Sequence, residues 1–278
     1  MQVEGIISNS ITQEIRLKGH QAIRFSADGF SILISDASYK PVYLKQFYYD
    51  SSVPASKFPA ECARILEDQH LLDFKGETVF ILDSLSSTVV PEQLFNPSDS
   101  RSMLEKTAEV AETDIVAHRY IRDRDLNILY TITPDLENLK EKISGRVQIL
   151  HASECLLSLS DQVQASDHQR GFILLEVQKY TLEILIIQKD RVTLMNHYIL
   201  KDPSDFIYHT LNTLKQLDLD RESIPVYLSG MIHPEHELFG LLGKYIRHIK
   251  TTPYYLEELS RTQMLRFMIL SEGSKCVS

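Results

Sequence analysis

The chain has 278 residues, 43% of them hydrophobic and 24% charged, enough apolar material for one or two folded domains with disorder expected only at the ends. Its formal charge of −9, with basic residues scattered among acids, argues against nucleic acid and anionic membrane surfaces as partners. Cys62, Cys155 and Cys276 are odd in number and far apart, which excludes a disulfide framework or a Cys-x-x-Cys metal knuckle, and no stretch approaches the ~20 apolar residues of a membrane span, so a cytoplasmic location is expected.

The first strong pattern is a trio of strands. "AIRFS" and "FSILISD" flank the corner Ala27-Asp28-Gly29, where Gly29 supplies positive φ without steric cost, and "PVYLKQFYYD" extends the meander. "FPAECARILEDQHLL" places Cys62, Ile65, Leu66 and Leu72 on one side of a helix, and "ETVFILD" reads as a buried strand, so a crossover onto a parallel neighbour is expected. "SDSRSMLEKTAEV" reads as a helix, "DIVAHRYI" and "LNILYTI" as two strands around a charged corner. "TPDLENLKEKIS" is a helix capped by Thr133 with Pro134 in its first position. "VQILHA" closes this half as another strand.

The second half repeats the order. "GFILLEV", "YTLEILIIQ" and "VTLMNHYIL" are consecutive strands, the last two joined by the polar corner "QKDR". "DPSDFIYHTLNTLKQL" is a helix capped by Asp202, with Pro203 first and Asp205 at the positive end of the dipole. "IPVYLSG" is a short buried strand, "HPEHELFGLLGKYI" a helix opened by Pro234, "HIKTTPYY" a final strand. "SRTQMLRFMIL" carries a Ser-x-x-Gln capping box at Ser260 and Gln263, and "SEGSKCVS" is expected to be loose. The polar stretch "SDQVQASDHQRG" marks the junction of the two halves. The domains expected are residues 1–152 and 153–270, with the last helix returning to the first lobe and a flexible tail at 271–278.

Three antiparallel strands, a crossover helix and a parallel strand, all duplicated, resemble the actin, hexokinase and heat-shock-chaperone superfamily. The motifs "IRFSADGFSILI", "STVVPEQLF", "DPSDFIYHTLNTLKQLDLD" and "VYLSGMI" together also resemble an uncharacterised bacterial family, a domain of unknown function with the actin-like ATPase fold. The resemblance covers roughly residues 20 to 255. It implies an α/β chain of two duplicated ribonuclease-H-like lobes, each a mixed sheet with flanking helices, and a cleft between them.

In that superfamily each lobe offers a strand-turn-strand loop to nucleotide phosphates, with Gly where backbone amides approach oxygen and Asp where magnesium or water is positioned. The resemblance carries these roles to Asp28 and Gly29 in the first lobe, and to Glu176, Ser229 and Gly230 in the second. The match is partial. Phe30 stands where a small residue is expected, Gln178, Lys179 and Tyr180 stand where glycines are expected, and Met231 replaces the second Gly of a pair. The expectation is therefore a non-catalytic or weakly nucleotide-binding module with a protein partner and no cofactor. Its rival is an ATPase or phosphotransferase, in which Asp28 and Glu176 position magnesium and water while Gly29, Ser229 and Gly230 line ATP.

Other constellations have plainer readings. In "HPEHE", His233 and His236 with Glu235 and Glu237 invite a metal, but helix-opening and dipole roles explain them without one. Asp28, Glu61 and Asp83 match the element order of a metal-dependent ribonuclease-H-like nuclease, a remote alternative set against the acidic chain. His118, His197 and His209 are expected to make ordinary core or surface hydrogen bonds. No Gly-x-Ser-x-Gly elbow, P-loop or Gly-x-Gly-x-x-Gly fingerprint occurs.

Overall fold

A computed structural model describes residues 1–49, 55–164 and 171–276. Residues 165–170, the core of the junction expected from the polar stretch, lie outside the described residues. Compactness divides the chain into Met1–Glu154 with Leu270–Ser278, and Cys155–Ile269.

The first unit runs β1 (Gln2–Ser8), α1 (Gln13–Lys18), β2 (His20–Ser26), β3 (Gly29–Ser35), β4 (Pro41–Tyr48), α2 (Phe58–Asp68), β5 (Glu77–Leu82), β6 (Ser87–Pro91), α3 (Ser100–Leu104), β7 (Ile115–Ile121), β8 (Leu126–Ile132), α4 (Pro134–Lys142) and β9 (Val147–His151). Its main sheet has the order β1-β4-β3-β2-β5-β9. β2, β3 and β4 form the expected antiparallel meander, and β5 lies parallel to β2 with Phe25 opposite Leu82. β6, β8 and β7 form a separate antiparallel sheet, inserted in the chain between β5 and β9.

One face of the main sheet is aromatic. Phe25 meets Phe80 edge-on at 5.7 Å, Phe30 stacks on Phe47 at 4.9 Å, and Tyr49 meets Phe58 of α2 at 4.9 Å. Helix α2 forms because Phe58, Cys62, Ile65 and Leu66 repeat at helical spacing and Pro59 suits its first turn; all four are buried.

The second unit repeats the order. It contains β10 (Phe172–Val177), β11 (Thr181–Gln188), β12 (Arg191–Ile199), α6 (Pro203–Gln216), β13 (Val226–Gly230), α7 (Glu237–Leu242) and β14 (Ile249–Thr251). Its sheet, β12-β11-β10-β13-β14, matches β4-β3-β2-β5-β9 strand for strand, antiparallel for three strands and parallel for two. The core joins Leu175, Ile184 and Leu228 of the sheet to Phe206 and Leu214 of α6 and Leu242 of α7. Lys189 and Asp190 take φ of 50° and 62°, the left-handed pair of a two-residue hairpin. The unit division falls within two helices, α5 (Ala152–Gln164) and α8 (Arg261–Lys275).

Several sequence expectations are corrected. The loop between β2 and β3 is Ala27-Asp28, because Ser26 already pairs with Gly29; Gly29 is the first residue of β3. β1 and β6 had no sequence signal strong enough to be named as strands. The helix expected across "SDSRSMLEKTAEV" is only Ser100–Leu104, and the "HPEHE" helix starts at Glu237 with the His236 ring accepting the Leu238 N–H, so Pro234 does not open it. Of the tail expected to be loose, residues 271–275 continue α8, with Ser271, Glu272 and Ser274 buried, while residues 277–278 lie outside the described residues.

Helix caps differ in the same way. Asp202 accepts the Ser204 N–H at 2.8 Å while Asp205 takes the Lys201 N–H at 2.7 Å and the Asp202 N–H at 3.3 Å, a complete capping box. Thr133 precedes α4 with no side-chain cap bond. In urea unfolding, Asp202→Ala is expected to lower the midpoint measurably, while Thr133→Ala stays within about 0.5 kcal/mol of the parent. Equal losses would contradict this assignment of caps.

Candidate functional site

In the second unit, parallel pairing sets Glu176 opposite Ser229 and Val177 opposite Gly230, so three of the expected site residues meet. Glu176 is 2% exposed, and its carboxylate is committed locally: Oε2 accepts the Ser229 hydroxyl and Oε1 the Gln178 side-chain amide at 2.7 Å. Ser229 also donates to the Leu175 carbonyl at 3.2 Å. Gly230 has φ +87°, and a Cβ there would stand 2.1 Å from the Val177 carbonyl oxygen. The room made by this glycine is filled by the neighbouring strand. Lys179, at the hairpin tip, lies 4.9 Å from the Tyr180 ring centroid.

Asp28 and Gly29 sit at the matching hairpin of the first unit. Gly29 has φ +148°, and a Cβ would fall 1.9 Å from the Phe47 carbonyl oxygen, so the close approach of β4 dictates glycine here. Asp28 is 4% exposed; its Oδ1 accepts the Ser26 hydroxyl at 2.9 Å and its Oδ2 is buried with no hydrogen-bond partner. That is unusual for a carboxylate. Beside it, Asp83 at the end of β5 binds Arg24 of β2, Nε to Oδ1 at 3.0 Å and Nη2 to Oδ2 at 3.0 Å, with both side chains buried. Burial pushes the Asp83 carboxyl up and Arg24 draws it back, while the charge of Asp28 pushes it up again.

A pocket of about 310 Å³ opens at this end of the parallel strands. Ser26 ends β2 and Ala27 follows it into the wall, Asp83, Ser84, Leu85 and Ser86 follow β5, Phe58 and Pro59 come from α2, Thr131 from β8, Leu136 from α4 and Thr133 from the link between those two. Sequence reasoning missed this site, since its lining comes from four separated stretches with no shared motif. The only local signal was the run of small hydroxyl residues "SLSST" after β5.

The hydroxyl wall is braced from behind. Ser84 and Thr131 hydroxyls are 3.1 Å apart, and His151 places Nε2 3.0 Å from the Ser84 carbonyl and Nδ1 3.2 Å from the Ser153 N–H, which fixes Nε2 as the protonated nitrogen. Glu154 accepts the His151 N–H at 3.0 Å and meets Arg119 at 3.1 Å. Burial raises its carboxyl to about 7, the His151 N–H and Arg119 offsetting only part of that cost.

The remaining constellations do not assemble. Glu61 turns to Arg64 at 3.3 Å and is 41% exposed while Asp83 is held by Arg24, so the nuclease trio does not converge. Among the described residues no group of three or more His, Cys, Asp or Glu side chains is placed to hold a metal. His233 pairs with Glu235 at 3.0 Å; His118 meets Phe95 at 4.8 Å and His209 stacks on Tyr198 at 4.3 Å.

Two measurements check this geometry. Gly230→Ala is expected to cost about 2 kcal/mol or more in unfolding free energy whether or not nucleotide is added, since the clash is with backbone; a cost seen only in nucleotide binding would contradict it. Glu154 titrates higher when folded than its ordinary 4.5, so its stabilising contribution is complete below that value and lost as pH rises through about 7. Glu154→Gln should therefore shrink the fall in stability between about pH 5 and 8 by up to about 3 kcal/mol.

Residues 10–249 match the family described as "Protein of unknown function (DUF3822)". No curated protein matches the chain. Among solved structures, a protein from Bacteroides thetaiotaomicron VPI-5482, described as having an actin-like ATPase fold and unknown function, is 19% identical over 86% of this chain and 93% of its own, with a TM-score of 0.75. The PilM-PilN type IV pilus biogenesis complex supplies a chain 11% identical, covering 95% of this one and 99% of that one, with a TM-score of 0.64. EutJ, an ethanolamine utilization protein from Carboxydothermus hydrogenoformans, is 12% identical over 92% of this chain and 88% of its own, with a TM-score of 0.46. At such identities the likeness carries the fold alone. With the duplicated strand order of its two sheets and a family match spanning most of its length, this chain has the actin-like ATPase fold and belongs to the DUF3822 family.

Proposed function

We infer that the chain is a binding module whose first unit takes a segment of a partner protein into the pocket between β2, β5, α2 and α4. The observation that carries this reading is the pocket itself, about 310 Å³ with Phe25, Phe58, Pro59 and Leu136 as apolar walls and Ser84, Thr131 and Thr133 among its hydroxyls. Apolar walls supply affinity by removing a side chain from water, and hydroxyls supply bonds to a partner's main chain. That PilM, of similar fold, is found in a complex with PilN supports a protein as the ligand class.

The second reading, ATP with magnesium, is favoured by one observation, the unpartnered Oδ2 of Asp28. Asp28 and Glu176 would serve magnesium and water; Gly29, Ser229 and Gly230 would serve the nucleotide. Four of these five residues fit poorly, since Glu176 and Ser229 already satisfy each other and both glycines accommodate strand carbonyls.

Nuclear magnetic resonance of the full chain titrated with N-acetyl-leucine amide is expected to shift signals of Leu85, Thr131 and Leu136. Ser56→Trp, which plugs the pocket from an exposed position, should abolish those shifts without lowering the unfolding temperature. Perturbations elsewhere, or none, would overturn the pocket as the site. Magnesium-ATP at millimolar concentration is expected to leave thermal unfolding unchanged; stabilisation approaching about 2.7 kcal/mol at a hundredfold excess over Kd would favour the nucleotide reading.

A further inference from the structure

The charge at the β2/β5 end of the pocket is unbalanced. Asp83 is the one charged residue among the described lining residues, and its two oxygens share a single guanidinium, that of Arg24. Asp28 adds a second carboxylate within electrostatic reach of Asp83. Its link to the wall is Ser26, a lining residue whose hydroxyl it accepts at 2.9 Å. Asp28 is 4% exposed and one of its oxygens has no partner, so it lacks the solvent and the donors that make a buried carboxylate affordable. Two carboxylates therefore lie within electrostatic reach of each other beside the cavity, and Arg24 binds one of them. Such an excess is costly to the folded protein alone and falls when a cation arrives.

Resting on the pocket reading above, we propose that the partner segment carries an arginine or lysine next to its apolar anchor, and that Asp28 and Asp83 together receive the cation at the β2/β5 end of the pocket. The apolar anchor occupies the Phe58, Pro59 and Leu136 side, and the hydroxyls between the two ends hold the intervening main chain. An acidic segment is disfavoured by the same charges: it would bring a third negative group to a buried site where, among the described residues, Arg24 is the cation bound to Asp83. Arginine suits the site better than lysine, because its planar fork reaches two carboxylates and sheds water more readily.

The test uses the full chain and two probes of equal size, N-acetyl-leucyl-arginine amide and N-acetyl-leucyl-citrulline amide, the second a neutral isostere of the first. The arginine probe is expected to bind at least about 10-fold tighter to the parent, corresponding to about 1.4 kcal/mol. In Asp28→Asn that preference should fall below about 3-fold, while the citrulline probe binds as before. Equal affinity of both probes for the parent overturns the cation and leaves the pocket standing. Failure of both probes to bind overturns the pocket reading and the cation with it. A control comes from stability: Asp28→Asn removes a buried charge one of whose oxygens has no partner, so its unfolding temperature should rise, and a fall would show that Asp28 is satisfied in the folded chain and overturn the proposal.

Discussion

The parallel pairing of β2 with β5 is the constraint on which the first unit depends. Its register, from His20 opposite Glu77 to Phe25 opposite Leu82, sets Arg24 beside Ile81, two residues before Asp83 and on the same face. Alternation along the strands then sends Arg24 and Asp83 to one face and Phe25 and Phe80 to the other. A slip of one residue would turn Arg24 into the aromatic layer and leave Asp83 buried without a cation. The buried ion pair, the aromatic contacts with α2 and the pocket wall at Ser26 and Asp83 all follow from that one register.

Duplication makes the two units comparable, and the comparison separates scaffold from chemistry. Each first hairpin ends in an acidic residue near a glycine, Asp28 with Gly29 and Glu176 with Gly230 across the β10/β13 pair. Both glycines exist because a neighbouring strand passes too close for a Cβ. The acids differ. Glu176 is closed off by Ser229 and Gln178, whereas Asp28 has an oxygen with nothing to bind. A satisfied buried carboxylate rigidifies a sheet; an unsatisfied one carries a desolvation cost that a cationic ligand relieves.

The wall of the pocket gains its precision from groups that never touch its interior. His151 holds the Ser84 carbonyl, Glu154 holds the His151 backbone, and Arg119 reaches Glu154 from the inserted sheet. The inserted strands thus do more than lengthen the first unit, because β8 supplies Thr131 to the pocket and β7 supplies Arg119 to its bracing. The second unit, with no such insertion between β13 and β14, keeps the bare duplicated sheet.

Local chemistry was legible in the sequence wherever a single segment decides its own state. The meander of β2, β3 and β4, the Asp202 cap, the polar corner at Lys189-Asp190 and the repeated strand order all follow from apolar period, caps and turn residues, and the repeat led to the fold; the closing of the capping box by Asp205 and the left-handed φ of the corner came with the structure. β1 was not legible because "QVEGIIS" is an edge strand with most of its side chains in solvent, so burial wrote no pattern into it. The end of α8 escaped for the opposite reason: Ser271, Glu272 and Ser274 are polar yet buried, and only the packing of the chain around them decides that. The pocket, the pairing of Arg24 with Asp83 and the unpartnered Oδ2 of buried Asp28 belong to tertiary structure alone, because each joins residues about 50 or more positions apart or depends on a partner's absence, and a carboxylate's neighbours in space leave no trace in its neighbours along the chain.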